Sequence, residues 1–236
     1  MRCHSIVILW LLAITTSAVP IRAHAGECLD AADESHHQTL YQNSDARVLL
    51  LELPRIASTQ PHCHAHPYLY VVTGESRSST TPEGKATFSH DWNGGEARFI
   101  YTPEKQVIRN ESMVPFREVI AETLHSVQYN PFDRSDDRDL FPGDLGSAKP
   151  TWTVSFTRGD LSAYKTQLAP GDDASFGSSN HVLIAVTDVK LQRSKEKADP
   201  DEIELDAQEV HVLTGGSPLK LTNAGSHSAT FIVIEF

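Results

Sequence analysis

Basic residues are scarce in this chain. Its 236 residues carry 20 lysines and arginines against 31 aspartates and glutamates, a formal net charge of −11. No basic patch with interleaved aromatics occurs, so nucleic acid and anionic membrane surfaces are excluded as partners. Cysteine is almost absent, with three in all. Beyond the first 25 residues no apolar run approaches the roughly 20 residues of a transmembrane helix. The chain has no phosphate-binding loop, no dinucleotide glycine fingerprint, no G-x-S-x-G elbow and no H-E-x-x-H pair. Nucleotide-driven chemistry, serine hydrolysis of that type and zincin-type proteolysis have no foothold in it.

The opening residues read as a removable leader. Arg2 supplies positive charge, Ile6 to Ala18 is apolar with small residues, and Ala23-His24-Ala25 has the form of a cleavage site. Residues 1–25 are therefore expected to be a signal peptide, which makes the mature protein secreted or periplasmic, without membrane insertion after cleavage. Removing 25 of the 236 residues leaves 211. Because the leader holds Arg2, Arg22 and no acid, the mature charge moves from −11 to −13. Cys28 and Cys63 remain. Export permits a disulfide between them, which would tie an N-terminal arm to the stretch around Cys63; a buried thiol at Cys63 is the alternative.

Residues 26–40 are polar and read as an arm. From Tyr41 the pattern is short β-strands punctuated by Gly, Pro and Asn. Ala46–Leu53, Leu69–Gly74 running into a turn, Lys85–Phe88, Ala97–Tyr101, Gln106–Asn110 and Phe116–Thr123 are the candidates. Residues 126–150 are charged and turn-rich and read as a connector. The second half then repeats the first at an offset of 113 to 115. Tyr41–Leu53 lies over Phe156–Leu168, Asn110 over Asn223 and Glu122 over Glu235. Strands of this number and spacing predict an all-β chain built as a duplication, with units at 41–125 and 151–236.

Chemistry concentrates between Gln60 and Glu75, in Pro61-His62-Cys63-His64-Ala65-His66-Pro67. Alternate residues of a strand share a face, so His62, His64 and His66 are expected to point the same way. Imidazoles so placed suit a first-row divalent ion. Residues i and i+4 sit about 13–14 Å apart at Cα. Two histidines of the strand with Gln106 from a neighbour are therefore the more reachable set. Tyr68 and Tyr70 share the same face and either line a pocket or plug it.

These residues resemble the first motif of the cupin superfamily, in which two histidines one residue apart are followed by a glutamate and a strand-ending glycine. His64, His66 and Gly74 fit; Tyr70 stands where the glutamate is usual, and His64 to Pro67 is closer to a His-x-His-Pro variant. Tyr101 to Asn110 resembles the second motif, with Asn110 in place and Gln106 at the histidine position. The resemblance implies two cupin-type antiparallel jelly-roll barrels in tandem. It makes His64 and His66, with His62 and Gln106, the metal candidates, and Tyr68, Tyr70 and Asn110 the pocket lining. In the second copy Ser178 and Asn180 stand opposite His64 and His66, Leu219 or Lys220 opposite Gln106, and His181 stands alone.

Three functions remain open at this level. The first is a small-ligand or divalent-metal binder that is not a proficient enzyme. The second is a metal-dependent cupin enzyme, a dioxygenase or isomerase. The third is a structural or interaction protein with decayed sites and no metal. A small molecule of unspecified class and a dimeric assembly are both compatible with the first two.

Overall fold

The computed structural model describes residues 28–101, 104–124, 150–158, 160–195 and 199–236. The expected signal peptide lies outside them, as does the connector save Pro150. The described chain is β throughout apart from a short 3-10 turn at Ala31–Asp33.

The first barrel contains β1 (Leu29–Asp30), β2 (His37–Gln42), β3 (Ala46–Leu53), β4 (His62–His64), β5 (Tyr68–Val72), β6 (Ser76–Pro82), β7 (Phe88–Trp92), β8 (Glu96–Ile100), β9 (Glu104–Asn110) and β10 (Phe116–Thr123). They form two five-stranded sheets, ordered β1-β4-β9-β6-β7 and β2-β3-β10-β5-β8. The second barrel contains β11 (Trp152–Arg158), β12 (Leu161–Leu168), β13 (Asp173–Ser175), β14 (His181–Ala185), β15 (Val189–Arg193), β16 (Asp201–Leu205), β17 (Val210–Leu213), β18 (Lys220–Asn223) and β19 (Ala229–Glu235). Its sheets run β11-β12-β19-β14-β17 and β13-β18-β15-β16.

The four sheets stack as four layers, and alternation along the strands shows why. In β3, Leu49, Leu51 and Leu53 point into the first barrel, while Val48 and Leu50 point away from it. In β14, Leu183 and Ala185 point into the second barrel, and Val182 and Ile184 point out. The outward residues of both barrels meet in one core, with Val48, Leu69, Val71 and Val119 against Leu161, Ala163, Ile232 and Ile234. The two middle sheets are thus covered on both faces at their centres, which is why β3, β5, β14 and β19 read as nearly continuous apolar runs.

Three sequence expectations need correction. The arm at 26–40 is part of the barrel from Leu29 on: β1 pairs with β4, and β2 pairs with β3. Its polar composition reflects edge positions, since most of β2 beyond His37 is exposed or half-buried. Lys85 to Thr87 precedes its strand, and β7 begins at Phe88. The histidine stretch is not one strand. β4 ends at His64 in one sheet and β5 starts at Tyr68 in the other, so the chain crosses between sheets at Ala65 to Pro67.

Candidate metal centre

That crossing decides which histidines meet. His62 and His64 are the two ends of β4, on one face, and both are fully buried. His66 falls in the bend beyond the strand and is half-buried, outside the cluster. The third imidazole is His37, the first residue of β2. Ring nitrogens of His37, His62 and His64 lie within 4.8 Å of one another. The ring centroids of His37 and His62 are 4.8 Å apart, and those of His62 and His64 are 5.3 Å apart.

Each ring is held from behind. The Nδ1 of His37 lies 2.8 Å from Glu34 Oε2, that of His62 lies 3.0 Å from the Gln60 carbonyl, and that of His64 lies 2.7 Å from Glu122 Oε1. All three partners are acceptors, so each neutral ring carries its proton on Nδ1 and keeps a lone pair on Nε2. All three Nε2 atoms are buried with no hydrogen-bond partner among the described residues. An unpaired buried polar atom costs about 1–3 kcal/mol, and the three rings are close enough together to hold one metal ion among them.

The supports are themselves anchored. Glu122 is buried between His64 and Arg47, and Arg47 continues to Asp30 at 2.8 Å. Burial alone would raise the Glu122 carboxyl, yet the hydrogen bond from His64 and the charge of Arg47 hold it below the usual range. Glu34 has burial against it as well, but donors from His36, His37 and the Gln60 N–H bring it down to about 2. Burial, then the nearby His62, lower His37 to about 4 despite Glu34. Burial also lowers His62. Both rings are therefore neutral at pH 7, the state a metal requires. Two or three imidazoles backed by carboxylates fit zinc, iron, manganese or cobalt rather than calcium or magnesium.

Gln106 pairs in register with His62 and donates to the Tyr68 hydroxyl at 3.4 Å; Tyr68 stacks on His64 at 4.2 Å. These two side chains also line a cavity of about 380 Å³, together with Tyr70, Trp92, Arg98 and Glu118. The histidines lie behind Tyr68 and Gln106 rather than on the cavity wall. Burial pushes the Glu118 carboxyl up to about 8, against the pull of Arg98. Asn110 does not line this cavity. It is fully buried, its amide donating to the carbonyls of Leu53, Pro54 and Val114 while its oxygen accepts from the Ser112 N–H. Asn223 does the same in the second barrel, toward Leu168, His227 and Gly225. The shared asparagine is a loop clamp.

In the second barrel no such cluster occurs among the described residues. The register of β13 with β18 puts Phe176 opposite Leu219 and Ser178 beyond it, where the first barrel has His62, Gln106 and His64. Phe176 thus stands opposite His62, and Ser178 opposite His64 as the repeat predicts. Thr153 stands where β2 has His37. The residues that sequence reasoning missed are His37, Glu34, Arg47 and Glu122. The pair His36-His37 was visible, but only closure of the barrel brings it to β4.

No protein-family model matches the chain, and no curated protein matches it in sequence. Solved structures do match. A cupin 2 conserved barrel domain protein from Leptotrichia buccalis aligns over 84% of this chain and 87% of its own, at 10% identity and a TM-score of 0.55. Procruciferin, an 11S globulin from Brassica napus, aligns over 81% and 76%, at 11% identity and 0.57. A salicylate 1,2-dioxygenase from Pseudaminobacter salicylatoxidans aligns over 84% and 75%, at 8% identity and 0.57. At these identities the likeness is one of fold, and it spans both barrels: the chain has the tandem-barrel cupin fold.

Proposed function

We propose that this is an exported cupin protein whose first barrel holds a divalent first-row metal on His37, His62 and His64. The adjoining cavity takes a small molecule, and the second barrel serves as packing partner. The observation that carries the reading is the trio of buried Nε2 atoms, each fixed in tautomer by an acceptor at Nδ1. When bound, the metal supplies a Lewis-acidic centre. Glu34 and Glu122 orient the rings, and Tyr68 with Gln106 closes the site from the cavity. That closure supports binding rather than turnover, since a catalytic metal keeps an open position toward its substrate. Export is supported by the leader sequence and by the Cys28–Cys63 disulfide, a bond that persists in oxidising compartments.

A metal-dependent enzyme is the second reading, and Glu118 favours it. A carboxyl that titrates near neutrality in a cavity, beside Arg98, has the pKa a general acid or base requires. The fold does not choose between the two, since a globulin and a dioxygenase share it.

Elemental analysis of the mature protein, purified without a histidine tag, tests the main reading. About one equivalent of a first-row metal is expected, and His62→Ala with His64→Ala is expected to abolish it. No uptake after dialysis against zinc, cobalt and manganese would overturn the metal assignment.

A further inference from the structure

Cys63 is the residue between His62 and His64. Its side chain leaves β4 on the face opposite the histidines, and there it is bonded to Cys28, with the two Cα atoms 5.8 Å apart. The residues just after Cys28 serve the histidine centre. Leu29 and Asp30 form β1, which pairs in parallel with His62 and Cys63. Asp30 caps the 3-10 turn through the Ala32 N–H and reaches Arg47, which holds Glu122 against His64. Glu34 comes next, accepting from the Gln60 N–H and orienting His37, and then His37 itself. Within ten residues the segment after Cys28 thus carries one metal ligand, the carboxylate behind that ligand, and one end of the ion-pair chain behind another. Beyond the disulfide, this segment meets β4 through the β1 pairings and through the ring of His37 against those of His62 and His64, Glu34 accepts from the Gln60 N–H just before the strand, and His37 pairs with Leu51 of β3.

We infer that the Cys28–Cys63 disulfide is a positioning device for the three-histidine centre, so that metal is held firmly when the bond is closed and loosely when it is open. This rests on the metal-binding reading above. The closed bond joins residues 35 apart in sequence, and it limits the freedom of His37 relative to His62 and His64. Reduction removes that limit without touching a ligand. With a phosphine reductant the S–S bond breaks, each sulfur gains one electron and one proton, and the phosphine becomes its oxide with the oxygen of one water. Export and reduction then act in opposite directions: an oxidising compartment favours the loaded centre, and a thiol-rich one favours release.

The test is a Co(II) titration of the full-length mature protein, followed by calorimetry and by the visible absorption of the bound ion. Cys28→Ser with Cys63→Ser is expected to lower affinity about tenfold or more at unchanged stoichiometry, the scale seen when groups behind metal ligands are lost. Wild-type protein reduced by phosphine after folding is expected to show the same drop, and it carries the test if the double variant does not fold. Phe231→Leu, which loosens only the second barrel, is expected to leave affinity unchanged. Affinity within twofold of wild type in both the serine variant and the reduced protein would overturn the inference, even if both melt earlier. So would an equal drop in Phe231→Leu, which would mark the effect as general destabilisation. Wild-type protein that takes up no Co(II) would remove the metal reading, and the inference with it.

Discussion

The two barrels share a frame and differ in what they enclose. Strand pairing aligns their inner faces position by position. Tyr70 corresponds to Leu183, Glu118 to Phe231, Gln106 to Leu219, Ser78 to Leu191 and His90 to Ile203. At each of these five positions a polar or hydroxylic group of the first interior has an aliphatic or phenyl group in its place in the second. The second barrel accordingly closes on Phe176, Leu183, Leu219 and Phe231, whereas the first keeps a cavity of about 380 Å³. One copy kept polar groups that a site can use, and the other exchanged them for packing. The lesson is energetic. A fully packed interior contributes the transfer of its side chains from water, while an open polar one leaves that stabilisation unused.

Exchanging one matched pair should expose the asymmetry most strongly. Phe231→Glu removes a fully buried ring and places a carboxyl among aliphatic side chains. Large-to-small loss of a buried phenylalanine alone costs about 3–5 kcal/mol, and the carboxyl has no partner there. A loss of at least about 4 kcal/mol is expected from urea unfolding. Glu118→Phe, the reverse change, fills space that is already open and removes a buried acid, so stability should hold or rise by about 1 kcal/mol. Equal losses from the two would mean that the first interior is as tightly specified as the second.

Acid should separate the barrels next. His37 protonates at about 4 when folded and near 6.5 when unfolded. The unfolded chain therefore takes the proton first as pH falls. Stability that is complete above about pH 6.5 is lost progressively down to about 4, by at most about 3 kcal/mol for this ring. Buried His62 adds a loss of the same sign. Glu34 and Glu122, held low, lose their contributions as pH falls further through their folded values. The second barrel has one such ring, His181, lowered by burial. Urea unfolding of metal-free protein at pH 7.5, 5.5 and 4.5 should show the loss. His37→Gln should flatten the profile more than His181→Gln, and a profile flat to pH 5 in wild type would contradict the shifts.

The fold was legible because periodicity and repetition are local properties of a sequence. Alternating strands, the paired asparagines Asn110 and Asn223 and the paired glutamates Glu122 and Glu235 all sat where the duplication put them. The site was legible in half. All three histidines carried a spacing signal, but the signal did not say where the strand stopped, and so the motif ranked His64 and His66 ahead of His62. The change of sheet at Ala65 to Pro67 is a tertiary fact. His37 was hidden for a different reason: it lies 25 residues before His62, and barrel closure rather than sequence spacing makes them neighbours. Aligning the halves at 114 over β5 set that strand one residue out, since the sheet pairings put its offset at 113, while β4 keeps 114 with Ser178 opposite His64.

Glu122 and Glu235 sharpen the comparison further, because they are the same residue in the same place with different work. Glu122 accepts from His64 and pairs with Arg47. Glu235 accepts from the Gly177 N–H and the Tyr164 hydroxyl. Glu122→Gln keeps the shape and removes the charge that orients His64, so metal affinity should fall about 10- to 100-fold. Glu235→Gln should leave it alone. A calorimetric titration with Zn(II) reads both, and equal affinities in the two variants would mean that Glu122 only packs.

The smallest expected effect is at His66, and it is the most direct test of how the structure revises the motif. Sequence spacing gives His66 and His62 equal standing, each two residues from His64. The fold does not, because β4 includes His62 and ends before His66. His62 is fully buried with its Nε2 among the other two rings, whereas His66 is half-buried in a bend. His66→Ala should therefore leave metal stoichiometry at one and change affinity less than about twofold. Its stability cost should fall within the roughly 0.5 kcal/mol usual for positions away from the core. His62→Ala in the same assay should lose binding. If His66→Ala loses metal and His62→Ala keeps it, the histidine pair is the one the motif suggested, and the chain must cross between the sheets later than Pro67.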